Sequence, residues 1–254
     1  MMENLTAART LAPRLRGRSR WASAFVVGAL LGVGSGCGQE DPVDPAELGS
    51  YFPLVDGAWW EYAHSDWTER VELTATTFEG REAFVAVDSP NPSDNLRSDS
   101  VLASIDGRVV RLTKEEFLVG AGGSETLASS VTYGVGFTRF NEDWATQAVG
   151  YTETPEYIRV ETRPGTGPRP AEDRRHTFEV VSLSDRVVTG QGTFDCIAIR
   201  RTKDWQAEED GLDPSDAQTK TYWFARGVGK VQERNEETNN VEVLVGYSIP
   251  QAGG

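Results

Sequence analysis

The chain has 254 residues, 38% hydrophobic and 25% charged, with 26 Gly, 12 Pro and seven Trp, a globular composition that excludes collagen-like, disordered and polytopic membrane classes. Two cysteines, Cys37 and Cys196, exclude a disulfide-stapled scaffold, and two histidines, His64 and His176, leave little material for a zinc site. The net charge of −14 is uneven: residues 1–36 carry +4 and the remainder −18, a field that repels phosphate backbones, so no nucleic-acid partner is expected.

The chain opens with an Arg cluster ending at Arg20, followed by an uncharged apolar stretch from Trp21 to Gly36 that closes on Gly34-Ser35-Gly36 before Cys37. A basic n-region, an apolar h-region and a small-residue cleavage site are the parts of a secretory signal. The apolar stretch is short and glycine-rich for a membrane span, which needs about 20 apolar residues. Four glycines, each costing roughly 1 kcal/mol of helix propensity, also count against a buried helix. Cleavage is expected at the Gly36–Cys37 bond, removing residues 1–36.

Ser35-Gly36-Cys37 resembles the lipobox of bacterial lipoproteins, with Gly34 standing where that family usually carries Leu. Ordinary secretory cleavage would cut the same bond and leave Cys37 unacylated. Two features favour acylation: an exported N-terminal thiol is reactive and without an evident partner, and residues 38–50, "GQEDPVDPAELGS", read as a flexible acidic tether. The resemblance implies a diacylglyceryl thioether and an N-acyl chain (palmitate or similar) on Cys37, hence a membrane partner through that anchor. Gly38, standing where Asp commonly retains such proteins at the inner membrane, implies placement at the outer one.

From Tyr51 onward the pattern is β. "WTERVELTAT" places Val71, Leu73 and Ala75 on one face and Arg70, Glu72 and Thr74 on the other. Trp60 and Tyr62 likewise alternate with Trp59 and Glu61. Asp106-Gly107 between two β-rich runs predicts a tight hairpin, because a type I′ turn needs positive φ. Ser124–Gly136 reads as a short helix, while Arg163–Arg175 and Gln206–Gln218, rich in Pro, Gly and charge, read as the least ordered pieces. "DCIAIRR" predicts a central strand covered on both faces, with Cys196 buried and inert. "KTYWFARGVGKVQERN" and "NNVEVLVGYSI" close the chain as a strand pair. The whole is predicted as mainly β: one antiparallel, strongly curved, half-barrel-like sheet or a sandwich, in a single domain over residues 51–250, with a disordered tail at 251–254.

Three segments carry a second resemblance: "YFPLVDGAWWEY" (Tyr51–Tyr62), "GTFDCIAIR" (Gly192–Arg200) and "TYWFARGVGKV" (Thr221–Val231). They resemble, in order and placement, a group of β-rich bacterial envelope lipoproteins without an assigned reaction. That likeness implies a curved sheet related to half-barrel lipid carriers and supplies no catalytic residue.

No residue pattern nominates a catalytic, cofactor or metal site. Ser65 and Asp66 adjoin His64 but point to alternate faces, and no Gly-x-Ser-x-Gly elbow is present, so both histidines read as solvated or capping groups. "EEDGLDPSD" (Glu208–Asp216) has oxygen ligands suited to Ca²⁺ but not the EF-hand spacing, and reads as a solvated loop. The expected protein is therefore a non-enzymatic lipoprotein of the outer membrane with a binding, scaffolding or surface role. A carrier of a lipid or other apolar small ligand is the alternative, and an envelope hydrolase the third reading.

Overall fold

The computed structural model describes residues 49–204 and 219–250. The signal segment, the Gly36–Cys37 junction, nearly all of the tether, the 251–254 tail and the acidic segment at 206–218 lie outside the described residues.

Among the described residues, alternating apolar and polar residues produce fourteen strands, all paired antiparallel: β1 (Trp59–Ala63), β2 (Thr68–Phe78), β3 (Arg81–Asp88), β4 (Leu96–Ile105), β5 (Arg108–Val119), β6 (Glu125–Asn141), β7 (Thr152–Glu153), β8 (Glu156–Arg163), β9 (Gly167–Pro168), β10 (Glu172–Thr189), β11 (Gly192–Asp204), β12 (Thr219–Ala225), β13 (Gly229–Asn235) and β14 (Val241–Ser248). Twelve of them form a closed ring, a meander from β1 through β6, β8 and β10 to β14, with β7 and β9 as short additions. The first and last strands meet, Trp59 opposite Ser248 and Ala63 opposite Val243. Closure removes the free edges that an open sheet would present. The predicted curvature is thus carried to a barrel, the sandwich alternative is not formed, and no α-helix occurs among the described residues.

One predicted short helix is strand instead, and one segment predicted among the least ordered is partly strand. Ser124–Gly136 lies almost wholly in β6, its Ser, Thr and Val residues pairing with β5 and β8. Arg163–Arg175 contributes to β8, β9 and β10, where Arg159 stands opposite Glu172 and their side chains pair at 3.1 Å. Cross-strand ion pairs organise a stretch whose Pro and Gly content suggests a loop. Asp106 and Gly107 take the predicted turn, at φ of 49° and 74°.

The segment Tyr51–Val55 plugs one end of the barrel. Tyr51 packs on Phe140 and Phe52 on Phe224, with ring centroids 6.0 and 6.2 Å apart. A core of Phe140, Trp144, Phe178, Val180, Ile197 and Ile199 fills the neighbouring wall. Beyond two bulges in β10, the β10–β11 hairpin covers the outside of β12–β14. Trp223 Nε1 donates to Asp185 Oδ2 at 2.8 Å, and Gln191 Nε2 to the Val245 carbonyl at 2.5 Å. That cover explains the doubly buried β11: Ile197 and Ile199 face inward, Cys196 and Ala198 outward beneath the hairpin.

Candidate functional site

The barrel interior is not filled: it holds a partly open cavity of about 490 Å³. Its polarity changes along the strands. At the plugged end, Phe52, Trp60, Leu73, Leu102 and Phe224 make an apolar floor. One pleat further along, the inward positions become polar or charged: Trp60 gives way to Tyr62, Leu73 and Val71 to Glu69, and beyond the buried Leu244 stands Glu242. Strand period two forces this, because every second residue must face the same space.

The upper wall is an ion network. Lys230 Nζ pairs with Glu242 and, at 3.3 Å, with Glu233, which also takes Lys220 at 2.5 Å. Burial opposes the Lys230 charge, yet Glu242 and Glu233 hold its ammonium well above the usual range. Burial likewise opposes the Glu233 carboxylate, but Lys230 and Lys220 bring its pKa down to about 2. Tyr62 donates its hydroxyl to the Lys230 carbonyl at 3.1 Å, and burial raises its phenol above the ordinary range. Glu69 lacks a lysine of its own. Burial, then the Asp88 carboxylate, raises it from 4.5 to about 7.

His64 projects into the cavity, stacked on Trp67 at 4.3 Å, with Nε2 3.6 Å from Glu69 Oε2. Together with Glu242 it offers three metal-ligating atoms within 4.8 Å of one another. Lys230 already pairs with the Glu242 carboxylate and burial raises the Glu69 carboxyl to about 7, so a cation at this trio would compete with an ammonium and, below neutral pH, with a proton.

The histidines depart from their predicted solvated setting. His176 is 4% exposed, wedged against Phe137 with centroids 4.8 Å apart. Burial, then Arg201 and other nearby cations, pushes its pKa down to about 2, so it is neutral throughout the physiological range. It stands on the inward face of β10 with Phe178 and Val180, an alternation visible in "HTFEVV". Ser65 bonds to Asp66 on the surface, and no hydroxyl or thiol is hydrogen-bonded to the His64 ring among the described residues. Cys196 is buried and free, as predicted, with its thiol raised to about 12 by burial and the carboxylates of Asp185 and Asp195.

Four buried side-chain polar atoms have no hydrogen-bond partner among the described residues: His64 Nε2, Ser100 Oγ, Arg111 Nε and Arg201 Nε. All four belong to residues that line the cavity. Buried polar groups in native proteins are nearly always satisfied, so their concentration in one space marks that space as a site.

Neither a family model nor a curated relative matches the chain. Two solved structures are similar in shape. One is a Bacteroides fragilis protein of YmcC-like fold assumed to be exported, with a TM-score of 0.48 and 12% identity, over 79% of this chain and 99% of that one. The other is a Parabacteroides distasonis protein assumed to be a lipoprotein, with a TM-score of 0.44 and 13% identity, over 79% and 99% of the two chains.

Proposed function

We propose that the protein is exported, anchored through acylated Cys37, and binds a small amphipathic molecule inside its barrel without transforming it. The observation that carries the binding reading is the gathering of all four unpartnered buried polar atoms around one cavity with an aromatic floor. At about 490 Å³ the cavity lies within the roughly 300–1,000 Å³ usual for small-molecule sites. A scaffold would be better served by a filled interior, as in many small barrels. The non-enzymatic reading is supported by His176, neutral and enclosed by aromatics, and by His64, which engages no nucleophile.

The address rests on the sequence: signal at 1–36, anchor and tether at 37–50, body at 51–250, with Gly38 favouring the outer membrane. The outer face of the barrel is compatible with an anchored protein. Arg70 pairs there with Glu61 at 3.0 Å and Glu72 at 2.6 Å, where a membrane-spanning barrel carries an apolar band. One acyl chain holds only marginally, two or more stably.

Metabolic labelling with a fatty-acid analogue tests the anchor: label on the wild type and none on Cys37→Ala is expected, and an unlabelled wild type defeats it. Solvent extraction and mass spectrometry of the gently purified protein test the cavity. A stoichiometric amphiphile is expected; an empty extract together with no binding of any amphiphilic probe defeats the carrier reading and leaves a scaffold.

A further inference from the structure

The cavity lining carries six basic and six acidic side chains, but they are not evenly paired. Its three lysines each have a carboxylate: Lys114 with Glu116 at 2.6 Å, Lys220 with Glu233 at 2.5 Å, and Lys230 with Glu242. Its three arginines, Arg111 on β5, Arg139 on β6 and Arg201 on β11, have none within 4.0 Å among the described residues. These three converge on one ring. The guanidinium carbons of Arg111, Arg139 and Arg201 stand 6.0, 5.7 and 5.9 Å from the centroid of Phe137, and Arg201 is also 5.1 Å from that of Tyr222.

Cation–ring contacts of this kind offset only about 0.5–2 kcal/mol each, far less than burying an unpaired charge costs. Arg201 is only 9% exposed and its Nε has no partner, and Arg111 Nε is also buried and unpartnered. Two groups register this local gathering of cations. Burial, then Arg139, lowers Arg111 to about 10, and the same cations help keep His176 neutral. Against this act a side-chain hydrogen bond with Tyr133 and the attraction of the Asp88 carboxylate, which already accepts from Ser98 Oγ at 2.8 Å.

We propose that Arg111, Arg139 and Arg201 seat the oxyanion headgroup, carboxylate or phosphate, of an amphiphile whose tail lies along the aromatic floor. The planar fork of a guanidinium matches both headgroups in bidentate geometry. Phe178, Tyr222 and Phe224 continue from Arg201 toward the plugged end, giving a tail an apolar path directly below the charge. This inference rests on the carrier reading and narrows it: the ligand is an anion, although the protein body is strongly acidic.

The test uses the full chain carrying Cys37→Ala, so that no acyl group competes, in detergent-free buffer. Binding of a dansyl-labelled undecanoic acid is compared with that of its methyl ester. The wild type is expected to bind the acid at least tenfold more tightly, with the difference shrinking as salt rises. Arg201→Gln and Arg139→Gln are expected to weaken binding of the acid far more than binding of the ester, so that the preference is lost. Equal binding of acid and ester by the wild type, a comparison that needs no variant, overturns the anion assignment while the carrier reading stands. Failure of both probes overturns the anion assignment and, joined to an empty solvent extract and no binding of other amphiphilic probes, the carrier reading itself. Dodecyl phosphate is expected to displace the acid probe at far lower concentration than inorganic phosphate; equal potency overturns the amphiphile and leaves a free-anion site.

Discussion

Replacing Glu69 with Gln probes the electrostatics of the barrel interior most directly. The Glu69 carboxyl lies on the inward face of β2 beside His64, and its pKa is raised from 4.5 to about 7, by burial first and the Asp88 carboxylate second. The folded state therefore holds a proton that the unfolded chain releases between pH 4.5 and 7. Because the unfolded state binds fewer protons at this group across that window, the Glu69 contribution to stability falls as pH rises through it and is level on either side. At about 1.4 kcal/mol per pH unit, keeping this carboxylate charged in the fold costs about 3 kcal/mol at pH 8. Gln mimics the protonated form and does not titrate. Glu69→Gln should match the wild type at pH 4 and exceed it by up to about 3 kcal/mol at pH 8. Urea unfolding followed by tryptophan fluorescence, repeated at half-unit pH steps, measures the difference. A gap that is constant with pH, or that narrows toward pH 8, would refute a Glu69 held protonated by its surroundings.

Two further outcomes test the wall and the outer layer. Gly136 has φ of +91°, and a Cβ there would lie 2.9 Å from Val110 Cβ and 3.0 Å from its Cγ2. Gly136→Ala should lower the unfolding free energy by about 1–3 kcal/mol, whereas Gly134→Ala, without positive φ, should do less; equal urea midpoints for the three proteins would contradict the β6 geometry. Cys196, buried beneath the β10–β11 hairpin with its thiol raised to about 12, should not react with an aromatic disulfide at pH 8 until the chain is unfolded in urea. Stoichiometric reaction in the native Cys37→Ala protein, whose single thiol is Cys196, would mean that the hairpin does not cover β11.

Much of the barrel is legible in local alternation. Val71 and Leu73 face inward and Arg70 and Glu72 outward, and Asp106-Gly107 turns where positive φ is required. The departures occur where pairing partners are distant in sequence. Arg163–Arg175 reads as loop because its organising contact, Arg159 with Glu172, is an ion pair between two strands, which periodicity does not record. The site left fainter signals. His176 continues the inward face of Phe178 and Val180, and Arg201 that of Ile197 and Ile199, so a polar residue in register with an apolar stripe was the mark to follow.

The sequence by itself determined the β class, the strand faces and the expectation of export with a cysteine anchor. These depend on period-two alternation, turn chemistry and a short ordered set of charge, apolar and small residues, all local along the chain. Tertiary contacts alone set that the sheet closes, that its interior stays open, and that three arginines from β5, β6 and β11 meet at Phe137 with no carboxylate within 4.0 Å among the described residues. Closure joins Trp59 to Ser248, nearly the whole body apart, and a cavity is the space left between side chains whose volumes add up only once the ring is formed.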